Sequence, residues 1–167
     1  MTATIGPMLI DILPRLRRYA LALARTADTA DDLVQAACER ALATKAELTD
    51  AMRFDGWMFR ILRNIWLDRL RRQKTRGTEV DVADTPLAVP GGDTVPEHRL
   101  LLGKAAAAIA ALPDEQREIM LLVCVEDFSY REAAELLDLP IGTVMSRLAR
   151  ARKKVADEVG VETGRVL

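Results

Sequence analysis

The apolar positions of this chain recur mostly at three- and four-residue steps, the spacing of amphipathic helices. Residues 8–25, "MLIDILPRLRRYALALAR", read as one helix with a kink expected near Pro14. Residues 28–48, "DTADDLVQAACERALATKAEL", read as a second. Asp28 or Thr29 suits its N-cap, and its first turn holds acids, as the helix dipole prefers. A third helix spans residues 53–74. The stretch 77–97 has no helical period and holds three of the seven prolines and three of the nine glycines, so it reads as a linker. Beyond it, 100–112 form a helix stopped by Pro113, and 114–126 another. Ser129 then opens "SYRE", a capping box with Glu132 at its third position, starting a short helix to about Leu137. After the turn "DLP", Pro140 suits the first position of a last helix, whose Val144, Leu148, Ala151 and Val155 share one face. The expected fold is all-α. Two small helical domains, 1–76 and 98–160, are joined by a flexible acidic linker, 77–97, and a short tail, 161–167, follows.

Composition agrees with this pattern. Half of the 167 residues are hydrophobic, while only seven are aromatic, which favours helix over sheet. The longest apolar runs, "AAAAIAAL" and "IMLLVCV", are of core-helix length and too short for a membrane span, so membrane insertion is not expected. The first 18 residues hold an acid and two prolines where a signal peptide needs a basic start, and a cytoplasmic location follows as the expectation. Cys38 and Cys124 stand alone, without motif, and read as buried small apolar residues. The net charge of −1 conceals local imbalance. Residues 1–76 carry 14 bases and nine acids, and 77–99 carry one base and five acids. The sharpest contrast lies near the end. Residues 114–138 hold eight acids and two bases, whereas 147–155 hold five bases and no acid.

That basic segment lies on the last helix, opposite its apolar face. Met145, Ser146, Ala149, Arg150 and Lys153 point away from the expected core, and Arg147, Arg152 and Lys154 flank them. A capped short helix, a tight turn and a second helix with a basic outer face is the arrangement that enters a DNA major groove. A solvated C-terminal helix would account for the charge through its dipole, but not for the capped helix in front. The 53–74 helix repeats the theme. Phe54, Trp57, Met58, Ile61 and Ile65 share an apolar face that Phe59, Leu62 and Trp66 widen, and a bundle core is the simpler use for them. Arg53, Arg60, Arg63, Asn64, Arg71 and Lys74 occupy the remaining arc. Aromatics beside such an arc also suit single-stranded DNA.

Together, "ADDLVQAACERAL", "FDGWMFRILRNIWLDRLRR" and "LPDEQREIMLLVCVEDFSYREAAELLDLPIGTVMSRLARAR" resemble the extracytoplasmic-function sigma factors of bacterial RNA polymerase, over nearly the whole chain and in order. The resemblance implies a specificity subunit that directs core RNA polymerase to promoters and initiates transcription. Promoter DNA and core polymerase are the implied partners, with an anti-sigma factor as a further one. By the same resemblance Asp32 and Gln35 bind core polymerase. The loop 48–54 and Asn64 take a flipped base of the downstream (minus-ten) element, with Leu48, Arg53, Phe54, Arg60, Arg63, Asn64 and Arg71 as its DNA contacts. Thr143, Met145, Ser146, Arg147, Ala149, Arg150 and Lys153 meet the upstream (minus-thirty-five) element. Ala36, Met145 and Ala149 depart from the family pattern, which uses Glu, a basic residue and a larger residue there. The latter two imply an unusual upstream preference, and Ala36 a different clamp affinity. A 21-residue linker spans at most roughly 70 Å extended and about 25 Å as a coil. Contact with both promoter elements at once therefore needs it stretched, as on polymerase.

Two other readings use the same features. A sigma-like decoy would keep the fold to capture an anti-sigma factor without touching promoters. A plain helix-turn-helix repressor would leave the first domain unexplained. An enzyme is not expected. His98 is the one histidine and sits beside the linker, and neither a phosphate-binding glycine loop nor a metal-spaced cluster is present, so no cofactor or metal is expected.

Overall fold

Helix α1, Ile5–Ala24, starts the chain and turns sharply into α2, Ala27–Ala43. Arg25 makes the turn in the left-handed region, at φ 62°, and its N–H donates to the Leu21 carbonyl at 2.9 Å. Thr26 follows in extended backbone, and its hydroxyl accepts the Thr29 N–H at 3.3 Å. The N-cap is therefore Thr26, not Asp28 or Thr29, because the αL residue before it sets where helical backbone can restart. The third helix, α3, runs Ala51–Arg76. In this computed structural model the described residues are 5–44, 51–77 and 95–161, with the backbone alone described at 51–53. Most of the expected linker, and the expected end of the second helix at 45–48, lie outside them.

The chain divides into two compact units, Met1–Thr85 and Pro86–Leu167. In the first, Leu9, Ile12, Leu16 and Tyr19 of α1 meet Ala30, Leu33, Ala37 and Ala41 of α2 and Phe54, Met58, Phe59, Leu62 and Trp66 of α3. Alanines at three of the four buried α2 positions let the helices approach closely. The Tyr19 and Phe59 rings pack with centroids 4.9 Å apart. Arg15 lies over Phe59, 5.5 Å from its centroid, and pairs with Asp55, tying α1 to α3. The α1 helix runs through Pro14, which lies exposed.

In the second unit α4 spans Pro96–Ala110, with Pro96 in its first turn. It begins inside the stretch expected as linker and ends two residues before the expected Leu112. Helix α5, Asp114–Met120, passes into a π-helical turn at Leu121–Val125, where a single helix to Glu126 was expected. Then come α6, Tyr130–Leu137, and α7, Ile141–Val159. Ile119, Leu122, Ala133, Leu136, Val144, Leu148 and Ala151 form the core. Arg117 is buried with them, 1% exposed. Its guanidinium donates to the Leu112 carbonyl at 2.8 Å and to the Asp114 carboxylate, so the buried charge satisfies the end of the α4 segment. No strand occurs among the described residues.

Candidate nucleic-acid interface

The α6–α7 corner follows from local sequence almost residue by residue. Ser129 caps α6 reciprocally: its hydroxyl accepts the Glu132 N–H at 3.1 Å, and the Glu132 carboxylate accepts the Ser129 N–H at 2.7 Å. Ala133, Ala134, Leu136 and Leu137 then face the core. The helix ends on Asp138, at φ 54°, and the Leu139 N–H donates back to the Ala134 carbonyl at 3.0 Å. Pro140 is the N-cap residue of α7, one place before its expected position, and Ile141 is the first helical residue. The Pro140 carbonyl accepts the Thr143 N–H at 3.0 Å.

Val144, Leu148 and Ala151 are buried as expected, and Val155 is half-buried. Met145, Ser146, Ala149, Arg150 and Lys153 are exposed on the outer side, and Thr143 is half-buried. Ser146 donates its hydroxyl to the Thr143 carbonyl at 3.2 Å. Neither Arg150 nor Lys153 forms an ion pair among the described residues. Arg147 differs: its Nη1 lies 3.2 Å from the Glu115 carboxylate of α5, and its side chain is 27% exposed. It braces α7 against α5, at the edge of the outer face. On the opposite flank Arg152 donates to the Cys124 sulfur at 3.7 Å, and hydrogen bonding to Cys124 raises its pKa further. Cys124 is exposed and Cys38 half-buried, so neither is the core thiol the sequence suggested. Burial pushes the Cys38 thiol pKa up.

On α3, Arg60, Asn64 and Arg71 are exposed and Arg63 half-buried. Arg71 also pairs with Asp68 at 3.0 Å. Phe54 corrects an expectation. It is 1% exposed and its ring lies 6.0 Å from that of Trp57, so it is a core residue with no surface to offer a base. Ile61 is core too, while Trp57 and Ile65 are half-buried. Of the expected loop 48–54, residues from Ala51 onward are already helix, and Leu48 lies outside the described residues. Arg53 is on that helix, about 16 Å along the axis from Asn64 at 1.5 Å per residue.

Asp32 and Gln35 share the exposed side of α2, three residues apart. The Asp32 carboxylate lies 4.0 Å from Arg69 of α3, and Gln35 donates to Glu39 at 3.0 Å. Ala36 is half-buried and His98 exposed. Sequence reasoning missed Ile141, which is 48% exposed although it continues the Val144–Leu148–Ala151 spacing; it is the first residue of α7, and that place at the helix end was the available signal. It also missed Glu115, whose pairing across 32 residues leaves no local trace. Among the described residues no His, Cys, Asp or Glu cluster could hold a metal, and no helix is long and apolar enough to cross a membrane.

Comparison with known proteins agrees across both units. Residues 102–155 match the family model "Sigma-70, region 4", and residues 9–63 match "Sigma2 domain of PhyR". The ECF RNA polymerase sigma factor EcfG of Rhodopseudomonas palustris is 34% identical over 93% of this chain and 85% of its own length. SigM of Mycobacterium tuberculosis, also an ECF RNA polymerase sigma factor, is 32% identical over 87% of this chain and 72% of its own. Among solved structures, the sigma factor RpoE from Bartonella quintana, in complex with the anti-sigma factor NepR, superposes with a TM-score of 0.75 at 28% identity, covering 95% of this chain and 98% of that one. The PhyRSL–NepR complex from Sphingomonas shares the fold, with a TM-score of 0.66 at 22% identity. The chain belongs to the extracytoplasmic-function sigma factors of RNA polymerase.

Proposed function

We propose that this sigma factor docks α7 in the major groove of the upstream promoter element, with Arg150 and Lys153 on bases and phosphates and Thr143, Ser146 and Ala149 beside them. One observation carries the reading. The outer face of α7 presents cations and no acid before Asp157, on a helix fixed by a capped partner and a tight αL turn. Such a face attracts a polyanion, and the turn holds it at a fixed angle. Arg147 keeps a supporting role through Glu115. The arc of Arg60, Arg63, Asn64 and Arg71 on α3 meets the downstream element once its strands part. Asp32 and Gln35 bind core polymerase in the cytoplasm, where the chain acts without chemistry of its own.

An anti-sigma factor is the second protein partner in this reading, because the RpoE relative was solved with one. The match of residues 9–63 to the PhyR model also favours capture of such a factor. Run-off transcription with purified core polymerase on genomic promoter fragments tests the whole proposal. Transcripts that start at discrete sites only when this chain is added are expected. Tight binding of an anti-sigma factor without any transcript would instead make the chain a decoy.

A further inference from the structure

Four-residue steps along α7 join Ile141, Met145, Ala149 and Lys153 into one ridge, and all four are exposed. Its first three members are apolar. Ile141 is 48% and Met145 50% exposed, although Val144 and Leu148, each three residues further along the helix, are 0% and 1% exposed. The chain thus buries one face of α7 thoroughly and leaves these two large side chains to water. Recognition helices present base-reading residues from their N-terminal half, which is where the apolar members lie. The cations Arg150 and Lys153 come later.

We infer that this ridge, with Met145 at its centre, reads thymine 5-methyl groups in the upstream element, an inference that rests on the major-groove docking of α7 proposed above. The chemistry narrows the choice. A thioether and a methyl group donate no hydrogen bond and accept at most weakly, so they distinguish neither guanine nor adenine by polar contact. In the major groove the apolar base feature is the thymine methyl. Ser146, one position along, has given its hydroxyl proton to the Thr143 carbonyl at 3.2 Å, which leaves its oxygen to accept. An acceptor there suits the amino group of adenine or of cytosine, and the apolar contact of Met145 is what turns the pair toward A·T. Gly142 adds room. It lies on the exposed side of the first turn of α7, and a Cβ built on it would have no neighbour within 4 Å. A bare backbone at that place lets the helix approach base edges closely. The adjoining cations favour a nucleic acid over an apolar protein surface as the occupant.

The test uses holoenzyme reconstituted from core polymerase and the full chain. Its probe is the duplex that this holoenzyme selects from a pool randomised across the upstream element. Replacing each thymidine by deoxyuridine in turn removes one methyl group and changes no hydrogen bond. Affinity should fall about fourfold at one or two positions, the effect of losing one buried methyl contact. Met145→Ala should weaken binding to the unaltered duplex similarly and show no further loss with uracil. Met145→Leu, which keeps apolar reach, should retain the methyl dependence. Unchanged affinity at every uracil position overturns the inference. If Arg150→Ala still weakens binding in that case, the groove docking stands and the methyl reading alone falls. If Arg150→Ala is silent as well, the docking itself falls.

Discussion

Arg147 and Arg150 are three residues apart on α7, yet they meet different surroundings. Arg147 reaches Glu115 and is mostly covered, whereas Arg150 faces outward without an ion partner among the described residues. Arg150→Ala should cost about 1–3 kcal/mol of binding to promoters that depend on the upstream box, with the melting temperature unchanged. Arg147→Ala should instead lower thermal stability slightly, by about 0.2–1 kcal/mol for a pair whose acid is well exposed. Thermal melts and promoter binding of both variants check this, and equal effects on both would remove the distinction. The two cysteines divide similarly. Cys124 is exposed, while burial pushes the Cys38 thiol pKa up and lowers its thiolate fraction. Iodoacetamide should therefore label Cys124 well before Cys38, as peptide mass spectrometry would show. Charge and periodicity made the outer face of α7 legible in the sequence. They could not tell a free arginine from a bracing one, because Glu115 enters only through packing.

At the scale of the helix, legibility followed how local the signal is. The α6 cap could be read because its two partners are three residues apart and nothing nearby competes. Removing it with Ser129→Ala should destabilise the second unit by about 1 kcal/mol, measured by urea unfolding. The α2 cap could not be read, because Thr26, Asp28 and Thr29 are all acceptable caps. The αL residue Arg25 decides among them, and a positive φ at arginine has no sequence signature. On α3 the aromatic run was ambiguous between core and base stacking. Burial resolves Phe54 as core, whereas Asn64 is exposed on the same helix, and the downstream role proposed for it can be tested. Asn64→Ala polymerase should still occupy the promoter but give weak permanganate reactivity in the downstream element. A pre-melted bubble template should restore most of its activity, since unpairing and unstacking cost a few kcal/mol that such a template has already met. Equal failure on bubble and duplex templates would make Asn64 structural.

For the whole molecule, each unit closes its own core and carries its own outward face: an acid and an amide on α2, cations on α7. The division into two helical units was visible in composition, since proline, glycine and acid accumulate between two helical patterns. Element ends were not, and Pro96 belongs to α4 because proline fits a first helical turn as well as it fits a linker. Replacing Asp32 and Gln35 together by alanine should weaken co-purification with core polymerase, while helical content and melting stay unchanged. Both side chains are exposed, and the 4.0 Å approach of Arg69 to Asp32 is a surface pair worth little to the fold. Full-strength co-purification would place the polymerase contact elsewhere.

The π-helical turn after α5 bears on how this chain tolerates changes in length. There the Glu126 N–H reaches back five residues to the Leu121 carbonyl, at 2.9 Å. Such a turn holds about one residue more than an α turn for the same rotation. Deleting Val123 would return the stretch to α geometry and leave everything downstream in phase, with the α6–α7 corner still aimed as before. Deleting Gln116 from α5 would instead rotate every later residue by about 100° relative to the core. The π turn therefore marks a place where related chains can differ in length by one residue without altering which face α7 turns outward.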